Sequence, residues 1–421
     1  MKKVVFMIVL LVMSFPLKAQ SAKPIDREGS LFSAGVDSRS AEGSPNFTDT
    51  FYLFTPSLFL ESRYSPNTRL SADYTSEFEM FGEHRELNSW NHSGHLGYAR
   101  KFSPRFSFDM GDSFISTTDP SRKLANSFLL FPRSRYQENV FYVRGDYSLN
   151  PRTTLSFGFD NTVTRYGLAA EDRKNFFDQM GNAWTTTLFR QLSEGKKITA
   201  TYTLLHLSIL DSPGLPANAG SGIASPMHSV TVGYLNSSRQ DWSVGISAGL
   251  IRAASFSYAL SGQIRRRMGA VWLDAEYNRT LSFFGSQAFD SPGSAQIGAG
   301  LPAGNRYEMV TLGASGDFSR RIGLNLRVTG AWTGAGSGAP ISKSLIGALS
   351  LDYRITRRLA LYTVAEFYSQ NLHRFPGYPV SRHRFYAGLR WSFPLRRMEP
   401  GSGSQSLPAS RPIQTSHNKE E

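Results

Sequence analysis

From about residue 30 to residue 393 the chain alternates apolar and polar positions in segments of about 10–13 residues. A period of two marks a strand with one face in an apolar medium and the other in a polar one. Val271, Leu273, Ala275 and Tyr277 alternate with Trp272, Asp274, Glu276 and Asn278. Ile322, Leu324, Leu326 and Val328 alternate with Gly323, Asn325, Arg327 and Thr329. The pattern predicts 18 strands, over 30–39, 50–62, 69–81, 90–102, 105–116, 137–149, 153–165, 182–193, 197–209, 228–236, 242–251, 254–264, 270–281, 306–318, 322–333, 343–355, 359–369 and 382–393. In 50–62 both faces are apolar and the alternation gives no register; Leu204-Leu205 interrupts it and suggests a bulge. The best stretch of helical period, Ala169 to Met180, falls between strands.

Every second connection is short: Ser65 to Thr68, Ser103-Pro104, Asn150 to Arg152, Glu194-Gly195, Arg265 to Met268, Ser319 to Arg321 and Thr356 to Arg358. Those between are mostly long and rich in Gly, Ser, Pro and Asn, over 117–136, 166–181, 210–227, 282–305, 334–342 and 370–381. A soluble sandwich has no reason to gather its long loops at one end. A transmembrane barrel has short periplasmic turns and long outer loops. The expected fold is therefore all-β: a transmembrane antiparallel up-and-down barrel of about 18 strands, with 16 as the alternative. Aromatic residues beside the short turns (Phe102, Phe106, Tyr147, Tyr234, Trp242, Phe318, Tyr353 and Trp391) then sit at headgroup level, where rings with one wet end collect.

The N-terminus supplies the route. Lys2 and Lys3 precede an apolar run from Val4 to Phe15, and Ala19 closes a cleavage pattern, so residues 1–19 read as a secretory signal peptide. Losing Lys2, Lys3 and Lys18 lowers the formal charge from +13 to +10. Residues 20–29 read as a short periplasmic segment, 30–393 as the barrel, and 394–421, rich in Ser, Pro and Gly, as a disordered tail. The expected location is the outer membrane. With no cysteine, disulfides and thiolate metal sites are excluded.

Tyr386-Ala387-Gly388-Leu389-Arg390-Trp391-Ser392-Phe393 resembles the C-terminal β-signal of bacterial outer-membrane β-barrel proteins. The resemblance implies that Tyr386, Gly388, Trp391 and Phe393 are read by the barrel-assembly machinery. It also implies a porin-like protein in contact with outer-membrane lipid. In that family the signal often ends the chain, whereas here 28 residues follow it.

The parity opposite the apolar one faces the lumen. It places the acids Asp109, Asp146, Asp160, Asp274, Glu276, Asp317, Asp352 and Glu366 inward, with the bases Arg105, Arg144, Arg327, Arg354, Arg382, Arg384 and Arg390. Acids and bases nearly balance, and they can either pair along the wall or line a water-filled passage. Arg152, Lys196, Lys197, Arg265 to Arg267, Arg320, Arg321, Arg357 and Arg358 make the short turns basic, a possible docking surface for an acidic periplasmic partner or for headgroups. The bases do not gather on one element with stacking rings, so no nucleic acid is expected. His92 and His95 project to opposite faces of a strand, and no hydrolase elbow, zinc-protease motif or phosphate loop occurs. Neither an enzyme nor a cofactor or metal is expected. The expected function is passive passage of small polar or anionic solutes. Two alternatives stay open: an export barrel for an anionic exopolysaccharide, and a plugged barrel serving as surface receptor, adhesin or enzyme. The pattern leaves the oligomeric state open.

Overall fold

The computed structural model describes residues 25–41, 44–118, 135–167, 178–211, 226–252, 256–282, 305–334, 340–356, 358–372 and 380–395. The expected signal peptide, the tail beyond Leu395 and most of the helical stretch lie outside them. The described residues form β1 (Ile25–Ala41), β2 (Ser44–Thr55), β3 (Ser57–Ser65), β4 (Thr68–Phe81), β5 (Ser89–Lys101), β6 (Phe106–Thr117), β7 (Arg135–Asn150), β8 (Thr153–Gly167), β9 (Asp178–Ser193) and β10 (Lys196–Asp211). They continue with β11 (Met227–Arg239), β12 (Trp242–Arg252), β13 (Phe256–Met268), β14 (Val271–Ser282), β15 (Asn305–Asp317), β16 (Ile322–Gly334), β17 (Pro340–Arg354), β18 (Leu359–Leu372) and β19 (Val380–Leu395).

Each strand pairs antiparallel with its neighbours in sequence, and β1 pairs with β19 from Ile25↔Leu395 to Ala41↔Val380, which closes the ring. β2 and β3 both pair with β4 in one register, Leu53↔Glu79 and Ser57↔Thr75. They are one strand interrupted at Pro56, which has no N–H to give to a ladder. The result is a closed antiparallel barrel of 18 strands. Closure leaves no open edge for another chain to extend.

The short turns are built by their polar residues. Ser319 Oγ accepts from Ile322 N at 3.1 Å, Thr356 Oγ1 from Leu359 N at 3.0 Å and Ser103 Oγ from Phe106 N at 3.0 Å. Such side-chain bonds stand in for backbone bonds that a tight reversal cannot make. Gly195 (φ 70°) and Gly269 (φ 63°) take left-handed conformations in the β9–β10 and β13–β14 turns, where a side chain would be strained.

The outward face is mostly apolar, interrupted by a hydrogen-bonded row of Asp112, Asn139, Asn161 and Asn182 on β6 to β9 and by the Arg279–Glu308 ion pair near the long-loop end. Leu250 is 65% exposed and Val232 55%, with Leu312, Leu326, Leu349, Leu361, Phe385 and Leu389 on the same side. A soluble protein does not leave such a band in water; in lipid it costs nothing. A strand of about 13 residues is about 44 Å long, and tilted by about 40° it rises roughly 33 Å, enough to cross the ~25 Å apolar band of an outer membrane. Phe102, Phe106, Tyr147, Tyr234, Phe318, Tyr353 and Trp391 are exposed beside the short-turn rim. No helix among the described residues is long and apolar enough to cross a membrane.

Three details differ from the sequence reading. Arg265 to Met268, expected as a short turn, belong to β13, and the reversal falls at Gly269-Ala270, where glycine tolerates the left-handed conformation. β1 starts at Ile25, five residues before the expected boundary, because its partner β19 continues to Leu395 and supplies backbone bonds that far. Leu204-Leu205 is not a bulge: the ladder to β9 runs unbroken through Leu204↔Trp184 and Leu205↔Ala183, and the bulges lie at Lys196/Lys197 and Ile209/Asp211. Alternation fails there because Leu205 turns inward onto Ala183, Met227 and Ile251, an apolar cluster on the inner wall.

Candidate functional site: the barrel lumen

Residues opposite one another in an antiparallel ladder point to the same side of the sheet. One pair identifies the concave side. Arg384 on β19 forms an ion pair with Glu79 on β4, passing over β1 and β2. Side chains bridge that many strands only where the wall curves toward them.

The register carries fourteen of the fifteen sequence-assigned inward charges, Asp160 and Arg382 among them, onto this face; Arg105 lies in the turn before β6, ahead of the ladder that starts at Phe106↔Tyr147. Asp109 stands opposite Arg144, and Asp146 opposite Ser107. Asp274 stands opposite Arg265 and Gly313, and Glu276 opposite Thr311. Arg327 lies between Gly313 and Ala348, and Asp317 and Asp352 flank Gly323. Arg354 and Arg390 both face Ala360, and Glu366 faces Arg384. Tyr386 and Gly388 share the inward side of β19. Trp391 points outward at the turn rim, 40% exposed. Phe393 has the same backbone parity as Trp391, opposite Arg27, and its side chain lies outside those described.

The inner wall has two tiers. Toward the long loops it is densely packed. Arg382 grips Asp37 with two bonds, Nε–Oδ1 at 3.1 Å and Nη2–Oδ2 at 2.7 Å. Arg384 Nε lies 3.6 Å from the same carboxylate, and its guanidinium lies 4.2 Å over the Phe51 ring. Ser89 Oγ donates to Glu79 at 3.2 Å, and Asn91 Nδ2 to Glu77 at 3.0 Å. Asp37, Glu79, Arg382 and Arg384 are each at most 2% exposed. Arg384, expected as a water-facing lining residue, is therefore instead a member of a covered ion-pair cluster at the seam where the first and last strands meet. Asp37 and Glu79 escaped the sequence reading because the two apolar faces of 50–62 left that part of the wall without a register. The cross-strand facing of Asp37 and Arg384 was the only signal, and it appears once closure is known.

Toward the short turns the wall is solvated. Arg354 Nη2 lies 3.1 Å from Asp317 Oδ1, with side chains 52% and 56% exposed, and Arg390 Nη1 lies 3.3 Å from Asp352 Oδ1, 49% and 31% exposed. Between the tiers, half-exposed Arg144 holds its Nη2 3.8 Å from Oδ1 of the buried Asp160, with its guanidinium 5.0 Å from the centre of the Tyr142 ring. A recess of about 440 Å³ opens at this end between Arg69, Lys101, Asp109 and Asp146. Charge is unevenly spread round the ring. On β9 to β12 the inward positions are Ser, Thr, Gly, Gln and apolar residues, with Lys197 at the turn rim as the one charge among the described residues. Thr187 and Thr201 bond each other at 3.1 Å on that wall, and Ser247 bonds Ser261 of β13 at 2.7 Å.

The histidines do not converge. His92 points outward and meets Tyr74 Oη at 2.7 Å, while His95 points inward to Ser113 Oγ at 2.9 Å and stacks on Tyr142. No group of three or more His, Asp or Glu among the described residues is placed to hold a metal. In the loop after β4, Glu86 receives a bond from its own backbone N–H and from His84 Nδ1 at 3.0 Å, which together hold its carboxyl below the usual range.

No protein-family model and no curated protein matches the chain. Among solved structures it is similar to OpdL of Pseudomonas aeruginosa, with TM-score 0.45 and 12% identity over 88% of this chain and 98% of that one. It is similar to OccK11 (OpdR) of the same organism, with TM-score 0.44 and 13% identity over 88% and 96%. The siderophore receptor PirA from Acinetobacter baumannii gives TM-score 0.42 and 8% identity over 89% and 81%. These likenesses are likenesses of barrel fold.

Proposed function

We propose that the protein is a passive outer-membrane channel that lets small polar solutes cross through the water-filled turn half of its lumen. The observation that carries this reading is the solvation of inward-facing charge. Arg354, Asp317 and Arg390 point into the barrel and still keep about half of their side-chain surface in solvent. Arg384, toward the opposite end of the wall, is covered by contrast. The apolar outer band supports residence in the outer membrane, where the expected signal peptide would direct the chain.

Purified protein reconstituted in a planar bilayer should give stepwise ion conductance. Replacing Arg327 and Arg354 together by Glu changes the wall by four charge units, and should shift selectivity toward cations. Charges act over about 8–10 Å at physiological salt, so the shift should grow as salt is lowered. A folded protein with no conductance would favour a receptor, adhesin or enzyme built on the same wall. A conducting double variant with unchanged selectivity at low salt would place the conducting path away from Arg327 and Arg354.

A further inference from the structure

Asp317, Arg354, Asp352 and Arg390 form an alternating quartet on the inner wall. Arg354 and Asp352 lie two residues apart on one face of β17, about 7 Å along the strand. Arg354 reaches past β16 to Asp317 on β15, across Gly323, whose missing side chain leaves the path clear. Arg390 reaches from β19 past β18 to Asp352, its guanidinium 5.3 Å from the centre of the Tyr362 ring. The order acid, base, acid, base therefore runs from β15 to β19 on the solvated tier.

Ion pairs this exposed add little to stability, because water screens them and two long side chains must be held still. The fold does not need them. Their effect on a passing solute depends on its charges. An anion that takes Arg354 or Arg390 strips a carboxylate of its partner, and a cation that takes an aspartate strands an arginine. Either exchange loses as much as it gains. A solute carrying both charges can give its carboxylate to an arginine and its ammonium to an aspartate together, so that no wall charge is left alone. The spacing of Arg354 and Asp352 suits charges separated by several bonds. Among the described residues, the inward faces of β9 to β12 offer no competing charge above the rim.

Building on the channel reading, we propose that the quartet selects zwitterionic solutes, amino-acid-like molecules with separated carboxylate and ammonium groups, over anions, cations and neutral polyols.

The test is osmotic swelling of liposomes carrying the full-length mature protein, in isotonic 4-aminobutyrate or in erythritol, a neutral solute of similar size. The wild type should admit 4-aminobutyrate faster by about twofold or more, the enrichment expected of an oriented charged wall. In the variant D317N/R354Q/D352N/R390Q two acids and two bases go together, net wall charge is unchanged, and the ratio should fall to about one. Should that variant fail to assemble, the exchanged pair D317R/R354D keeps both signs and should keep the preference. Equal rates in the wild type overturn the proposal and leave the channel standing. A preference that survives neutralisation, or is lost on exchange of the pair in a folded barrel, also overturns it. No swelling in either solute overturns the channel reading itself.

Discussion

Two arginines with the same inward parity do different things because of what surrounds them. Arg384 is covered, held by Asp37 and Glu79 and laid over Phe51. Arg354 is half in water with one carboxylate partner. Removing one member of a buried pair strands the other charge and costs about 3–5 kcal/mol, whereas an exposed pair is worth about 0–1 kcal/mol. Arg384→Met should therefore lower the temperature at which the barrel unfolds on a gel far more than Arg354→Met does. Equal shifts for the two would show that the seam cluster is as wet as the lower tier. Alternation gives both residues the same parity; only the neighbouring strands distinguish them.

At the scale of the element, β19 does two jobs. Its inward side contributes Arg382, Arg384 and Tyr386 to the seam cluster, and its outward side contributes Phe385, Leu389 and Trp391 to the lipid face. It also closes the ring, pairing with both β18 and β1. If the resemblance of 386–393 to an assembly signal holds, recognition lies in the same strand. Phe393→Asp should sharply reduce insertion, measured as the fraction recovered in outer membranes, while truncation after Leu395 should leave it nearly unchanged. Comparable losses would assign recognition to the tail. The turn halves of β15 to β17 were legible residue by residue, because Leu312, Leu326 and Leu349 lie on one face and Gly313, Arg327 and Ser350 on the other; nearer the long loops the rule breaks, with Tyr307, Met309 and Ile346 inward and Glu308 outward. β2 and β3 were not, because Phe51 and Leu53 point inward into a packed cluster while Tyr52 and Phe54 face lipid.

At the scale of the molecule, closure through β1 and β19 makes every backbone bond of the wall internal, the condition for a sheet to stand in lipid. The cooperative ladder should resist detergent until heated. The mature protein should co-fractionate with outer membranes and migrate differently on a gel before and after boiling. Recovery as a soluble periplasmic protein with no heat-dependent mobility would contradict a membrane barrel. The same closure sets the function proposed above, since only a closed ring turns the polar parity of separate strands into a lumen.

The sequence by itself determined the class, a strand number of about 18, the alternation of short and long connections and, where the alternation is clean, the parity of the charges. These follow from local rules: period two, turn chemistry and the cost of polar groups in lipid. Tertiary structure alone decided which charges are solvated and which are locked. Arg384 meets Glu79 across strands more than three hundred residues apart in the chain, and Arg354 meets Asp317 across an intervening strand. Those meetings depend on ring closure, on the register of neighbouring strands and on a glycine at the crossing, and no local pattern encodes a distance between strands that do not touch in sequence.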